Sequence, residues 1–149
     1  MKMNTRMSQL LSLLNVPPAP NNLPASAKSE LLELIVVDGS VLLKREFEQA
    51  KGATVSDFPD RTGFEAFVNH VHRPYDETSE SLQTCLYFAT KLRNRLAEIK
   101  EHQFVVILSV SEGDCVVRFH QLRQGEKWLD DDLETYTEEG ILVFSGRDF

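Results

Sequence analysis

Residues Phe104 to Gln121 read FVVILSVSEGDCVVRFHQ, and the reading of this stretch decides the fold. Two β-branched, apolar runs, 104–110 and 115–121, flank the connection Ser111-Glu112-Gly113-Asp114. Val, Ile and Phe suit a pleated, half-buried surface, and a short polar link containing Gly suits an antiparallel hairpin. Upstream, Leu82, Cys85, Leu86, Ala89, Leu92, Leu96 and Ile99 recur with a 3.6-residue period, so the spacing predicts an amphipathic helix over 80–100. Thr78, Ser79 or Ser81 can cap its start, and Lys91, Arg93, Arg95 and Lys100 lie towards its C-terminal end, where cations complement the helix dipole. Downstream, Ile141–Phe144 (ILVF) predicts a short final strand. The class implied is α+β: a mostly antiparallel sheet with one long amphipathic helix packed on one face.

Towards the N-terminus the pattern loosens. Asp38-Gly39 sits between apolar runs, and both central positions of a type I′ turn favour positive φ, so a second hairpin is expected. Two helices broken at Gly39 are the competing reading, since Leu42, Glu46 and Ala50 also fit helical spacing. Residues 52–63 read as loop. Phe64 to His72 fits two periods: Phe64, Phe67, Val68 and Val71 form a helical stripe behind a Thr62-x-x-Glu65 capping box, while Phe64, Ala66, Val68, His70 and His72 share one face of a strand. The β-branched and aromatic content favours the strand. Ser26 is a candidate N-cap for a short helix starting near Ala27. Ser8–Leu14 can form two helical turns before Pro17, Pro18, Pro20 and Pro24. Residues 1–24 therefore read as a loosely docked arm and Pro-rich linker, and 25–149 as a single α+β domain.

Composition removes several functions. At 149 residues, 42% apolar and 26% charged, the chain can bury a core without disulfides or metal. Its apolar runs fall far short of a membrane span, and the N-terminus lacks a signal peptide's apolar core and cleavage site. A cytoplasmic protein without membrane contact is expected, with Cys85 and Cys115 as reduced, buried thiols. The net charge of −7 and the lack of a basic cluster with interleaved aromatics argue against nucleic acid. No nucleophile elbow, phosphate loop or dinucleotide fingerprint occurs, so no cofactor is expected.

The charge is not spread evenly. Residues 126–139 hold seven of the 23 acidic residues (Glu126, Asp130, Asp131, Asp132, Glu134, Glu138 and Glu139) against Lys127 alone. The same segment carries the only Trp, Trp128, and Tyr136, residue types that anchor interfaces. An acidic, aromatic-bearing segment repels phosphate backbones and attracts basic protein surfaces. A solvated acidic loop with a core Trp128 is the bland equivalent. Asp130–Asp132 is not spaced as a calcium loop, and it reads instead as the start of a helical turn running through Leu133.

Two constellations carry weaker chemistry. On a strand, His70 and His72 point the same way and can share a cation, with His120 as a third nitrogen from another strand. That set is the basis of the alternative reading, a small metal-assisted hydrolase; a hydrogen-bonded strand end is the commoner outcome for such a pair. Arg118 and His120 share a face opposite Val117 and Phe119, which suits holding an anion or, more simply, lining the solvent side of the sheet or bridging to the nearby acidic segment at Asp130–Asp132 or Glu134.

The segments NHVH (69–72), VVRFHQLRQGEKWL (116–129) and DDDLETYTEEGILVF (130–144) resemble those of small acidic immunity proteins encoded beside bacterial polymorphic toxins. The resemblance covers about half the chain. It implies a non-catalytic inhibitor whose acidic C-terminal surface covers a basic partner, a toxin domain. On that reading Trp128, Asp130, Asp131, Asp132, Glu134, Tyr136, Glu138 and Glu139 form the partner-binding surface.

Overall fold

The computed structural model describes residues 1–20 and 32–146. The expected helix near Ala27, with Ser26 as its cap, lies outside the described residues. Elements run β1 (Lys2–Met3), α1 (Thr5–Leu13), β2 (Leu34–Val37), β3 (Ser40–Leu43), α2 (Lys44–Gln49), α3 (Arg61–Val68), β4 (His70–Pro74), α4 (Ser79–Leu96), β5 (Phe104–Ser111), β6 (Asp114–Gln121) and β7 (Gly140–Ser145), with 3₁₀ turns at Val55–Asp57 and Leu133–Thr135. The class is α+β, as expected. A five-stranded sheet in the order β1-β7-β5-β6-β4 pairs antiparallel throughout, and β2-β3 form a separate hairpin.

The hairpin that decides the fold is tighter than its sequence suggests. Ser111 pairs with Asp114, leaving Glu112-Gly113 as the turn, with Gly113 at φ +74°. Strand alternation then separates two faces. Val106, Leu108, Val110, Cys115, Val117, Phe119, Leu142 and Phe144 join Leu82, Cys85, Leu86, Ala89, Leu92 and Leu96 of α4 in the main core. Thr78 caps α4 by accepting from the Ser81 amide, and the helix closes at Leu96, four residues before the expected end. On the opposite face Val105, Ile107 and Ile141 pack with Leu133 from the acidic segment.

Residues 2–16 correct the expectation of a loosely docked arm. Lys2 and Met3 pair with Val143 and Leu142, and α1 buries Met7 and Leu11 in the main core. The proline-rich run is a misleading signal here, because prolines after a helix do not prevent the helix from docking. Close approach at Gly140 makes it possible: a Cβ there would stand 3.0 Å from Leu10 Cδ1 and 3.3 Å from Met7 Cα.

Residues 64–72 are the second correction. They divide into the end of helix α3 and the start of strand β4, rather than one strand. The helix cap is Asp60, which accepts from the Gly63 amide at 2.7 Å, upstream of the box expected at Thr62. Phe64 and Val68 of α3 pack with Leu42 in a third apolar cluster under the β2-β3 hairpin. The strand preference of β-branched and aromatic residues is thus overridden by burial against a neighbouring element.

Asp38 and Gly39 take φ values of +49° and +80°, the positive values a type I′ turn requires. Gly39→Ala is expected to cost about 1–2 kcal/mol from its backbone alone, since a Cβ at position 39 meets only ordinary contact. Thermal unfolding checks this; an unchanged melting temperature would mean that the turn relaxes without penalty.

Candidate functional site: the acidic loop and the face it covers

The acidic loop, residues 126–139, is irregular in backbone but pinned at many points. Leu133 is buried against the sheet, and Leu129 and Tyr136 pack beside it. The Asp130 amide donates to the Tyr136 hydroxyl at 2.9 Å, and Asp132 caps the 3₁₀ turn by accepting from the Glu134 amide at 3.1 Å. Asp132 thus begins a helical turn through Leu133, as read from the sequence.

A buried residue from the far end of the chain completes the hold. Asn4 Nδ2 donates to the carbonyls of Glu139 at 2.8 Å and Tyr136 at 3.2 Å. Its Oδ1 accepts from Met7 N, capping α1, and from Ile141 N in β7. One amide side chain therefore joins α1, β7 and the loop.

Several of the acids also serve the fold. Glu134 Oε1 accepts from the Thr5 amide at 2.8 Å, at the start of α1. Glu126 accepts from the Thr62 amide and hydroxyl at 3.0 and 2.8 Å, at the start of α3. Burial opposes the Glu126 charge, but Thr62, Arg123 and Arg61 outweigh it and hold the carboxyl below its ordinary value. Negative charge at two helix N-termini is favourable for the same reason that caps are. Asp131 meets Lys127 at 3.2 Å with its side chain 90% exposed, so that pair adds little. Asp130, Asp132, Glu134 and Glu138 are exposed as well, and Glu139 is half-buried.

Trp128 is neither a core residue nor a free anchor. It is 37% exposed, and the Arg118 guanidinium stands 5.0 Å from its ring centre. Burial lowers Arg118 from its ordinary value, with Glu139 opposing. Arg118 and His120 do share a face, but it is not the solvent side of the sheet: Arg118 is half-buried and His120 is 4% exposed.

His120 adjoins a polar cluster that no local sequence pattern announces. Glu65, fully buried, holds Arg123 through two contacts of 2.7 and 2.8 Å and accepts from the Gln121 amide at 2.8 Å. Asn69, equally buried, accepts from Leu43 N at 2.9 Å and donates to the carbonyls of Val41 and Phe119. These side chains join α3, β3 and β6 across long sequence separations, so only the tertiary structure reveals them.

Burial lowers the His120 imidazole from its ordinary value of 6.5, with the Gln121 carbonyl and Glu65 opposing. As pH falls below that value, the unfolded chain takes up a proton that the folded chain resists. The stability contribution is therefore full above about pH 6.5 and is lost as pH falls through the lower folded-state value. His120→Gln should flatten the decline in urea midpoint between about pH 7.5 and about pH 5.5. An equal decline in both proteins would assign the acid sensitivity to other groups.

The three histidines do not assemble. His72 Nδ1 lies 2.8 Å from Asp114 Oδ2, His70 Nδ1 contacts the Phe67 carbonyl, and their rings meet edge-on at 5.2 Å. His120 instead bonds the Gln121 carbonyl through Nδ1. Among the described residues no group of three or more His, Cys, Asp or Glu is placed to hold a metal ion. His70 and His72 line a groove of about 850 Å³ beside β4, the edge strand of the sheet, with Lys44, Arg45 and Glu46 of α2 among its other walls. Cys85 and Cys115 are both free and fully buried. Contact with Cys85, then burial, push the Cys115 thiol up, away from a reactive thiolate. Among the described residues no helix is long and apolar enough to cross a membrane.

Residues 2–148 match the Uncharacterized protein PM0498 family, and the chain belongs to that family. No curated protein and no solved structure matches it.

Proposed function

We propose that this member of the PM0498 family is a cytoplasmic, non-catalytic binding module of the immunity or inhibitor kind. Its acidic loop receives a basic protein surface, such as a toxin domain. One observation carries the reading: the loop packs its apolar side chains on the sheet, ties its backbone to Asn4, and leaves Asp130, Asp131, Asp132 and Glu138 exposed beside the partly exposed Trp128. Carboxylates held on a pinned backbone need little ordering when a partner arrives, so more of the attraction remains as binding. Opposite charge also accelerates encounter.

The hydrogen bonds of the loop dictate the choice of variants, because Glu126 and Glu134 cap helices and their loss would confuse folding with binding. Asp131→Asn, Asp132→Asn and Glu138→Gln together remove three charges, while the side-chain amide oxygen introduced at position 132 still accepts from the Glu134 amide. A partner is first captured from the native host and purified, and its association with both proteins is then timed. The triple variant is expected to melt like the wild type and to associate more slowly. The difference should shrink as salt rises, since screening acts over about 8 Å at 0.15 M. Association at the wild-type rate in low salt would reduce the loop to a solvated surface.

A further inference from the structure

We infer that His70 and His72 form a two-imidazole site for a divalent transition metal of the zinc class, open to the groove beside β4. Three observations carry it. First, both residues stand on β4 two positions apart, so their side chains leave the same face of the edge strand. Second, each Nδ1 already has a partner that fixes its tautomer: the Phe67 carbonyl for His70 and the Asp114 carboxylate, at 2.8 Å, for His72. An Nδ1–H donated in this way leaves the Nε2 lone pair outward, and neither Nε2 has a hydrogen-bond partner among the described residues. Metal-bound histidines almost always show this arrangement, with the second nitrogen held by a carboxylate or carbonyl. Third, the ring centres are 5.2 Å apart. Two imidazoles on one tetrahedral ion, with metal–nitrogen bonds of about 2.0–2.1 Å, have centres about 5 Å apart.

The site differs from the three-histidine set of the alternative reading, because His120 faces the Glu65 cluster. Two protein ligands leave coordination positions free for water or for a carboxylate or phosphate group entering the groove. Imidazole donors select zinc, nickel or copper over magnesium and calcium, which prefer oxygen. Asp114 is a positioning residue, acting on the metal through His72.

The test is calorimetric titration of the full chain with zinc chloride, repeated with magnesium chloride. One zinc per chain and no magnesium are expected. The His70→Ala, His72→Ala variant should lose saturable binding while its melting temperature in chelator stays near wild type. Asp114→Asn should weaken zinc binding by about 10–100-fold. In metal-free Asp114→Ala, where no side-chain acceptor remains for Nδ1–H, the ¹⁵N shifts of the His72 ring should show loss of the single Nδ1–H tautomer, and zinc affinity should fall at least as far as in Asp114→Asn. Absence of saturable zinc binding, or binding that survives the double variant, overturns the site. Full affinity in Asp114→Asn overturns the positioning role.

Discussion

Arg123→Ala is expected to lower stability by about 3–5 kcal/mol, as breaking one side of a buried ion pair does. The reason is what remains behind. Glu65 is completely buried, and without Arg123 its carboxylate keeps only the Gln121 amide as a partner among the described residues. The Glu65 side chain is 0% exposed in the fold, so a charge left there is poorly solvated. Replacing both partners, Glu65→Leu with Arg123→Met, should recover most of the loss, since a packed apolar pair avoids the desolvation cost. Arg95→Ala supplies the control: its pair with Glu98 is exposed on both sides, and its loss should stay within about 0.5 kcal/mol. Urea unfolding of the variants decides the matter. Equal losses at Arg123 and Arg95 would show that burial does not govern the Glu65 cluster.

Asn4→Ala is the second large effect, expected at about 2–5 kcal/mol from the cap and the buried amide together. Loss of the α1 cap contributes about 0.5–2 kcal/mol. The Ile141 amide, left without its acceptor in a buried position, contributes about 1–3 kcal/mol more. This variant also probes the loop, because Asn4 Nδ2 holds the Tyr136 and Glu139 carbonyls. Amide exchange should accelerate across residues 133–141. Asn4→Asp separates the two roles: it keeps the acceptor for Met7 and Ile141 but sets a carboxylate against two carbonyls. Faster exchange confined to α1 would show that Asn4 is only a helix cap and that the loop is held by Leu133 and Tyr136.

What the sequence by itself determined is the part of the fold written in periodicity. The stripe from Leu82 to Leu96 could only be a helix with one apolar face, and the runs around Glu112-Gly113 could only pair as a hairpin. Asp38-Gly39 favoured its turn through backbone sterics, and the structure takes that hairpin over two helices broken at Gly39. Each of these signals acts between residues close in the chain, so one stretch contains all of its evidence. The acidic concentration at 126–139 was legible for the same reason, as was the strand-borne His70 and His72 pair.

Tertiary structure decided the rest, wherever the deciding partner lies far away in sequence. Phe64–Val68 carries both helical and strand patterns, and packing of Phe64 and Val68 with Leu42 selects the helix. The N-terminal segment looked detachable because its anchors, β7 and the loop around Glu139, come at the other end of the chain. Glu126 and Glu134 looked like surface charge, yet they cap helices that begin at Arg61 and Thr5. A carboxylate in a sequence has no preferred direction. Whether it faces a partner or an orphan helix amide depends on which backbone donors the completed fold leaves unpaired beside it.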